Sequence, residues 1–135
     1  MPTIELNKII PVLATSINNN ACFDNLKKGI RGFVKKATSE GDTIMILAFN
    51  QCLNIMYNLR KMKAVDWAST VGQIVKENPR ELMMVAYVGS LGLNVELLKQ
   101  NLGTQLPNVQ EDWKKLIDSV EYVQKTVYNI WGWVV

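Results

Sequence analysis

Few side chains in this sequence could carry out chemistry. Its two cysteines, Cys22 and Cys52, are far apart and form no CxxC pair, and the chain contains no histidine. Because histidine is the commonest general base and a frequent zinc ligand, its absence removes the usual catalytic and transition-metal sites. We therefore expect no metal and no cofactor, and we expect both cysteines to be small apolar side chains of the core rather than a disulfide.

The twelve acidic residues have simpler explanations than catalysis. Several stand where helices are predicted to begin, and carboxylates are stabilised there by free backbone N–H groups. These residues are Asp42, Asp66, Glu81 and Glu111. A Ser–Lys or carboxylate enzyme remains an alternative, but the sequence favours a protein without catalytic activity that works by binding.

A row of cations follows one predicted helix. Its members are Lys27, Lys28, Arg31, Lys35 and Lys36. Such a row can neutralise phosphates, although charged residues on a helix commonly form only its solvated side. The net charge of +3 is too small by itself to imply a polyanion-binding protein, so we expect no nucleic-acid partner. Binding of double-stranded RNA or another polyanion is the alternative function.

The spacing of apolar residues predicts an all-α protein, a single helical domain over residues 1–135. About six helices follow from residues recurring every three or four positions. They are Thr3–Ile17, Phe23–Ala37, Thr43–Lys61, Asp66–Glu77, a helix starting at Pro79, and Asn108–Ile130. The apolar fraction of 48% is enough for one hydrophobic core.

The fifth helix is predicted to be the centre of the bundle. Asn78-Pro79-Arg80-Glu81 combines an N-cap, a proline at the first helical position and an acidic third residue. The following stretch, 82–95, carries no charge and is shorter than the roughly 18 residues or more expected of a membrane span. We expect Asn78 to cap this helix, and Gly89 and Ser90 to lie against a neighbouring backbone.

The two ends of the chain are less informative. The N-terminus lacks the pattern of a signal peptide, so we expect a cytoplasmic protein. The apolar segment Ile130–Val135 is either packed or a docking patch. A structural, self-assembling helical subunit is a further alternative.

Residues 70–133 resemble the B-cell lymphoma-2 family of apoptosis regulators. Ile74-Val75-Lys76-Glu77, Asn78-Pro79-Arg80-Glu81, Gly89-Ser90 and Trp131-Gly132-Trp133 are similar in order and spacing to that family's Leu-Phe-Arg-Asp, Asn-Trp-Gly-Arg, Gly-Gly and Gly-Gly-Trp motifs. Residues 1–69 match only in helix number and order. The family's tryptophan is replaced by Pro79, and its arginine falls on Glu81, with Arg80 one place early.

The resemblance implies a pro-survival protein that captures an amphipathic death-motif helix of a pro-apoptotic partner in a groove formed by helices two to five. Arg80 is then expected to pair with the aspartate of the death motif. Similar compact members without a transmembrane tail are encoded by large DNA viruses and act in the host cytoplasm, reaching mitochondria through their partners. The expected groove wall is Phe33, Tyr57, Val71, Ile74, Val75 and Met84, with Asn78 and Arg80 at the rim; the alternative for each apolar residue is a place in the core.

Overall fold

The computed structural model describes the backbone of residues 4–134 and the side chains of 4–63 and 65–126. The predicted start at Thr3 and the side chains of the terminal apolar segment, including Trp131-Gly132-Trp133, lie outside the described residues. The described chain is helical. Its α-helices are α1 (Leu6–Asn18), α2 (Asn20–Ser39), α3 (Thr43–Lys61), α4 (Ala64–Glu77), α5 (Pro79–Leu91), α6 (Val95–Asn101) and α7 (Pro107–Val134), with a 3₁₀ turn at Leu102–Thr104.

Helix α5 is the centre of the bundle, which confirms the prediction from its uncharged sequence. It packs against α1, α2, α3, α4 and α7. Because it has neighbours on nearly every side, apolar residues occupy most of its circumference rather than one stripe. Its buried residues are Leu82, Met83, Met84, Val85, Ala86, Gly89 and Ser90.

Helix α5 is shorter than predicted, and an additional helix follows it. The N–H of Gly92 bonds to the carbonyls of Gly89 and Ser90, which ends α5. The side chain of Asn94 then accepts from the N–H of Leu97 and starts α6. The described residues therefore form seven α-helices rather than about six. The sequence pattern did not predict this break, because apolar residues continue from the end of α5 into α6.

Helix α6 is held on the surface of α7 by two polar contacts. The indole N–H of Trp113 donates to the carbonyl of Leu98 at 2.7 Å. The Lys99 ammonium lies 2.9 Å from the Glu121 carboxylate, and this hydrogen bond with its charge raises the pKa of Lys99. Since the ion pair is exposed, it contributes little to stability.

Two glycines allow helices to approach closely. A Cβ atom built on Gly89 would lie 2.5 Å from the Oγ of Ser16 on α1. A Cβ atom built on Gly29 of α2 would lie 2.7 Å from Cγ1 of Val88 on α5. Both distances are below van der Waals contact, so only glycine fits without a shift. Gly89 therefore lies at a close helix contact, but against the side chain of Ser16 rather than against the backbone that was predicted.

A three-residue turn joins α2 to α3 and is built from local signals. Gly41 has a φ of 69°, and the N–H groups of Gly41 and Asp42 bond to the carbonyls of Thr38 and Ala37. This pattern is a Schellman motif, which satisfies the last carbonyls of α2. The Asp42 carboxylate accepts from the N–H of Met45 at 3.1 Å. The predicted cap of α3 is confirmed.

Two other predicted caps, Asp66 and Asn108, are wrong, and a third, Asn78, is the N-cap residue of α5 but makes no side-chain bond there. Helix α4 begins at Ala64, so Asp66 lies in its first turn and Lys63 is the N-cap residue. Asn78 precedes α5 but makes no side-chain capping bond, because the same residue also ends α4. Helix α7 begins at Pro107, which places Asn108 inside the helix. Helices α4 and α7 therefore begin before the predicted cap, whereas α5 begins directly after Asn78, as predicted.

A buried hydroxyl from α7 stabilises α1 beside its proline. Pro11 cannot donate a helical hydrogen bond. In the next position, the N–H of Val12 donates to the Ser119 Oγ at 3.2 Å, and that hydroxyl donates to the carbonyl of Lys8 at 2.5 Å. Ser119 thus bridges two groups that a regular helix would join directly.

Within the described residues, no single helix is both long and apolar enough to cross a membrane. Helix α5 and the segment Val95–Thr104 together have the length and apolar composition of a membrane span, but their axes are bent by 58° relative to each other.

Candidate functional site: an apolar cleft along helix α2

One flank of α2 lines two adjoining clefts. Residues on this flank recur at spacings of three or four positions, so they lie on one side of the helix over about five turns. They are Cys22, Asn25, Gly29, Phe33, Lys36 and Glu40. Phe33 lines both clefts, so the two lie next to each other along the helix. We call the two clefts together the α2 cleft.

The first part of the α2 cleft lies between α2 and the C-terminal end of α5. It has a volume of about 240 Å³. Its opposite wall is made by Val88, Leu91 and Gly92. Leu91 is 57% exposed although it is a large apolar residue, which leaves an apolar edge open to a partner.

The second part lies between the C-terminal half of α2 and the first turns of α3. Its volume is about 250 Å³, and Met45 and Phe49 form the α3 wall. The rings of Phe33 and Phe49 stack with centroids 5.0 Å apart and planes 9° from parallel. Lys36, with an exposed side chain, lies at the edge of this part.

The surface is mainly apolar, with charge at one end. Cys22, Leu26, Phe33 and Val88 supply apolar area in the first part. In the second part, the Lys36 ammonium is the cation at the rim, and Glu40 and Asp42 are the acids. Because Asp42 already accepts from the α3 backbone, its carboxylate is partly occupied. An amphipathic partner that presents apolar anchors to the clefts and a charged side chain to the rim is the chemistry that fits.

The structure places the eight residues expected at the groove in different environments. Phe33 lines the α2 cleft. Val71 and Met84 are 0% and 4% exposed and belong to the core. Ile74 and Val75 are partly buried against the core. The core alternative describes Val71 and Met84, whereas a place for Ile74 and Val75 at a groove wall stays a prediction.

The polar members of the expected site also differ from one another. Tyr57 is half-buried, accepts from the Arg31 guanidinium at 3.2 Å and has its ring edge-on to Phe23. Asn78 lies between α4 and α5, and Arg80 is half-buried in the first turn of α5. Arg80 is about 12 Å along α5 from Val88, at 1.5 Å per residue. It therefore lies towards the opposite end of α5 from the wall of the α2 cleft.

Sequence reasoning missed most of the residues that form the cleft. The signal was present, because Cys22, Gly29 and Phe33 recur at helical spacing. This spacing was not recognised as a binding surface, because Gly29 is surrounded by lysines in the sequence. The close approach of Val88, which shows the importance of Gly29, is visible only in the structure.

The described residues offer little for catalysis. Within 4–126, no group of three or more metal-ligating side chains comes together. The Cys52 thiol is buried and bonds to the carbonyl of Glu81 at 3.4 Å. Burial, and secondly the charge of Glu81, raise the pKa of this thiol. Since the thiolate is the reactive form, Cys52 is a core residue and not a nucleophile at neutral pH.

A separate cleft lies between α1 and α7. Its volume is about 350 Å³, and its lining includes Pro11, Ala14, Trp113 and Leu116 together with Asp112 and Lys115. Trp113 of this cleft also donates to the carbonyl of Leu98 and so holds α6 on α7.

Comparisons of the chain with protein-family models, with curated proteins and with solved structures found no match.

Proposed function

We propose that the protein binds an amphipathic helix of a partner in the α2 cleft and, as the resemblance to the B-cell lymphoma-2 family suggests, inhibits apoptosis by sequestering pro-apoptotic death-motif helices. The observation that carries the proposal is the flank of α2 whose residues, recurring over about five turns, line two neighbouring clefts that share Phe33 and have mainly apolar walls. A helix-in-groove partner presents anchors at the same spacing.

The arrangement of helices gives further support. A central apolar helix surrounded by amphipathic helices is the architecture that the sequence motifs imply. The cleft is formed by α2, α3 and α5, within the four helices expected to form the groove. Helix α4 contributes no residue to either part of the cleft.

The structure changes the expected ion pair. A partner lying along α2 has Lys36 at its edge, whereas Arg80 is near the other end of α5. An aspartate beside the partner's apolar anchors is therefore expected to pair with Lys36. An exposed pair of this kind contributes about 0.2–1 kcal/mol. The partner's apolar anchors supply most of the affinity.

A titration of the full chain with labelled death-motif peptides, followed by fluorescence anisotropy, tests the proposal. We expect micromolar or tighter binding of at least one peptide. Leu91→Glu places a charge on the apolar edge of the cleft and should weaken binding about tenfold or more, the scale of a contact worth 1.4 kcal/mol. Leu97→Glu is the matched control, because Leu97 is 52% exposed on α6, outside the cleft.

The outcomes separate the sites. Equal weakening by both leucine variants, or no binding of any peptide at micromolar concentration, would refute capture in the α2 cleft. If Arg80→Ala weakens binding by about 2–5 kcal/mol while Leu91→Glu has no effect, the partner binds at the motif-derived groove instead. Circular dichroism of each variant checks that the fold is retained.

A further inference from the structure

We propose that the solvent-facing side of the α2–α3 hairpin is a docking surface for the phosphate backbone of a nucleic-acid duplex. This surface, the hairpin face, consists of Lys28, Arg31 and Lys35 on α2 and of Asn54, Asn58 and Lys61 on α3, all with exposed side chains. It goes beyond helix capture and uses a different side of α2 from the α2 cleft.

Two rows of side chains form the hairpin face. The α2 row has spacings of three and four residues, and the α3 row has spacings of four and three, so each row lies on one side of its helix. The Arg31 guanidinium donates to the Tyr57 hydroxyl at 3.2 Å, and Tyr57 lies between Asn54 and Asn58 in the sequence. This contact joins the two rows into one surface.

The helices run antiparallel beneath this surface. Phe23 near the start of α2 contacts Tyr57 near the end of α3, with ring centroids 5.7 Å apart. Phe33, later in α2, contacts Phe49, earlier in α3. The α2 row covers about 10 Å at 1.5 Å per residue. A surface of this length can contact more than one phosphate.

The segment that forms the α2–α3 hairpin carries an excess of positive charge. Residues 20–63 contain eight Lys or Arg and three Asp or Glu. Residues 64–135 contain six Lys or Arg and eight Asp or Glu. Helix α3 has no acidic residue, and Asp24, the one acidic residue of α2, lies 3.2 Å from the Lys27 ammonium. An approaching polyanion therefore meets cations and amides, with the acids Glu40 and Asp42 confined to the turn at one end.

The side-chain types favour a nucleic acid over a membrane. Amides such as Asn54 and Asn58 can donate hydrogen bonds to phosphate oxygens and exchange them with sugar hydroxyls. A membrane-binding face needs several apolar side chains that insert below the headgroups. The six residues of the hairpin face are all polar or charged, and Leu47, seven residues before Asn54 on α3, is an exposed apolar residue beside them.

They also favour a duplex over a single strand. Single strands are bound by stacking of bases on exposed aromatic rings. Tyr57 is the aromatic residue between the two rows, but it is half-buried, with its ring against Phe23 and its hydroxyl bonded to Arg31. Contacts to the backbone of a duplex need no such ring.

Fluorescence anisotropy of labelled 20-base-pair RNA and DNA duplexes, at 50 and 200 mM KCl, tests this proposal on the full chain. If the four cations of the hairpin face each neutralise one phosphate, the logarithm of the association constant should fall with the logarithm of the salt concentration with a slope of about −3.6. The affinity should then fall roughly 150-fold between the two KCl concentrations. Lys28→Gln/Lys35→Gln should halve the slope, which leaves a fall of about 12-fold. Binding of either duplex with this behaviour supports the proposal.

The matched control is Lys114→Gln/Lys115→Gln, which removes the same charge from exposed positions of α7. Equal weakening by the two double variants would show an effect of net charge alone and overturn the proposal. It is also overturned if neither duplex binds at 50 mM KCl, or if the chain binds vesicles of anionic phospholipid but no duplex. Leu91→Glu should leave duplex binding unchanged, so this proposal and helix capture can fail independently.

Discussion

Adding one methyl group at Gly89 should destabilise the protein, although the same change usually stabilises a helix. Replacing glycine by alanine within a helix normally contributes about 0.5–1 kcal/mol of stability. At Gly89 the new Cβ would lie 2.5 Å from Oγ and 3.0 Å from Cβ of Ser16. Overpacking of a buried contact costs about 1–3 kcal/mol. We expect a net loss of about 1–2 kcal/mol for Gly89→Ala, and a larger loss for Gly89→Leu.

Ser16 makes this prediction testable by a double-mutant cycle. Its buried Oγ has no hydrogen-bond partner among the described residues, so Ser16→Ala removes an unsatisfied polar group and should not be destabilising. In the Ser16→Ala background the 2.5 Å contact is gone and the 3.0 Å contact to Cβ remains. Gly89→Ala should then be close to neutral, with a coupling of about 1–2 kcal/mol between the two positions.

Urea unfolding followed by far-UV circular dichroism measures these free energies. Gly32→Ala is the control, because Gly32 is in the middle of α2 and a Cβ there would meet nothing within 4 Å. It should stabilise the protein by about 0.5–1 kcal/mol. If Gly89→Ala is as stabilising as Gly32→Ala, or if the two positions are additive, α1 and α5 do not cross at Gly89.

Three further predictions concern other parts of the fold. Ser119→Ala deletes the hydroxyl that bridges two backbone groups of α1 and should lower the free energy of unfolding by about 1–3 kcal/mol; no change in urea unfolding would contradict the bridge. Asp42→Ala should cost about 0.5–2 kcal/mol through loss of the α3 cap, whereas Asn78→Ala, which removes no capping bond, should change stability by about 0.5 kcal/mol or less; the reverse order in the same assay would refute the cap assignment. Cys22 should react with a thiol reagent in the native state and Cys52 should not; rapid labelling of both thiols would contradict the burial of Cys52. Because the folded-state pKa of Cys52 is raised, the contribution of this thiol to stability should be constant below its unfolded pKa of about 8.5. That contribution should be lost as the pH rises above this value.

Local patterns in the sequence were sufficient for the helices themselves. The spacing of apolar residues predicted an all-α fold, and the uncharged stretch after Pro79 predicted the central position of α5, because a helix that is apolar on most sides must be surrounded. Asp42 was correctly predicted as a cap, since it stands directly after a glycine with positive φ and has no competing role. Each of these properties depends on only a few residues that are close together in the sequence.

Prediction from local sequence patterns failed where the packing of two helices competed with a local capping signal. Asn78 has the sequence of an N-cap, but it also ends α4, and the geometry of that junction prevents a side-chain capping bond. Asp66 is a good cap by type, yet α4 starts earlier, and the indole N–H of Trp67 donates to the carbonyl of Leu59 at the end of α3. The packing of a large aromatic residue outweighs a single capping bond of about 1 kcal/mol.

The candidate site was decided by the tertiary structure. Periodicity showed which residues of α2 face inward, but it could not show where α5 ends or how closely it crosses α2. The contact between Gly29 and Val88 sets that crossing, and the end of α5 at Gly92 leaves Leu91 exposed beside it. Val71 and Met84 lie in the core for the same reason, because their burial depends on which helices pack over them. A cleft is a property of the space between helices, so the amino-acid pattern of one helix determines only one of its walls.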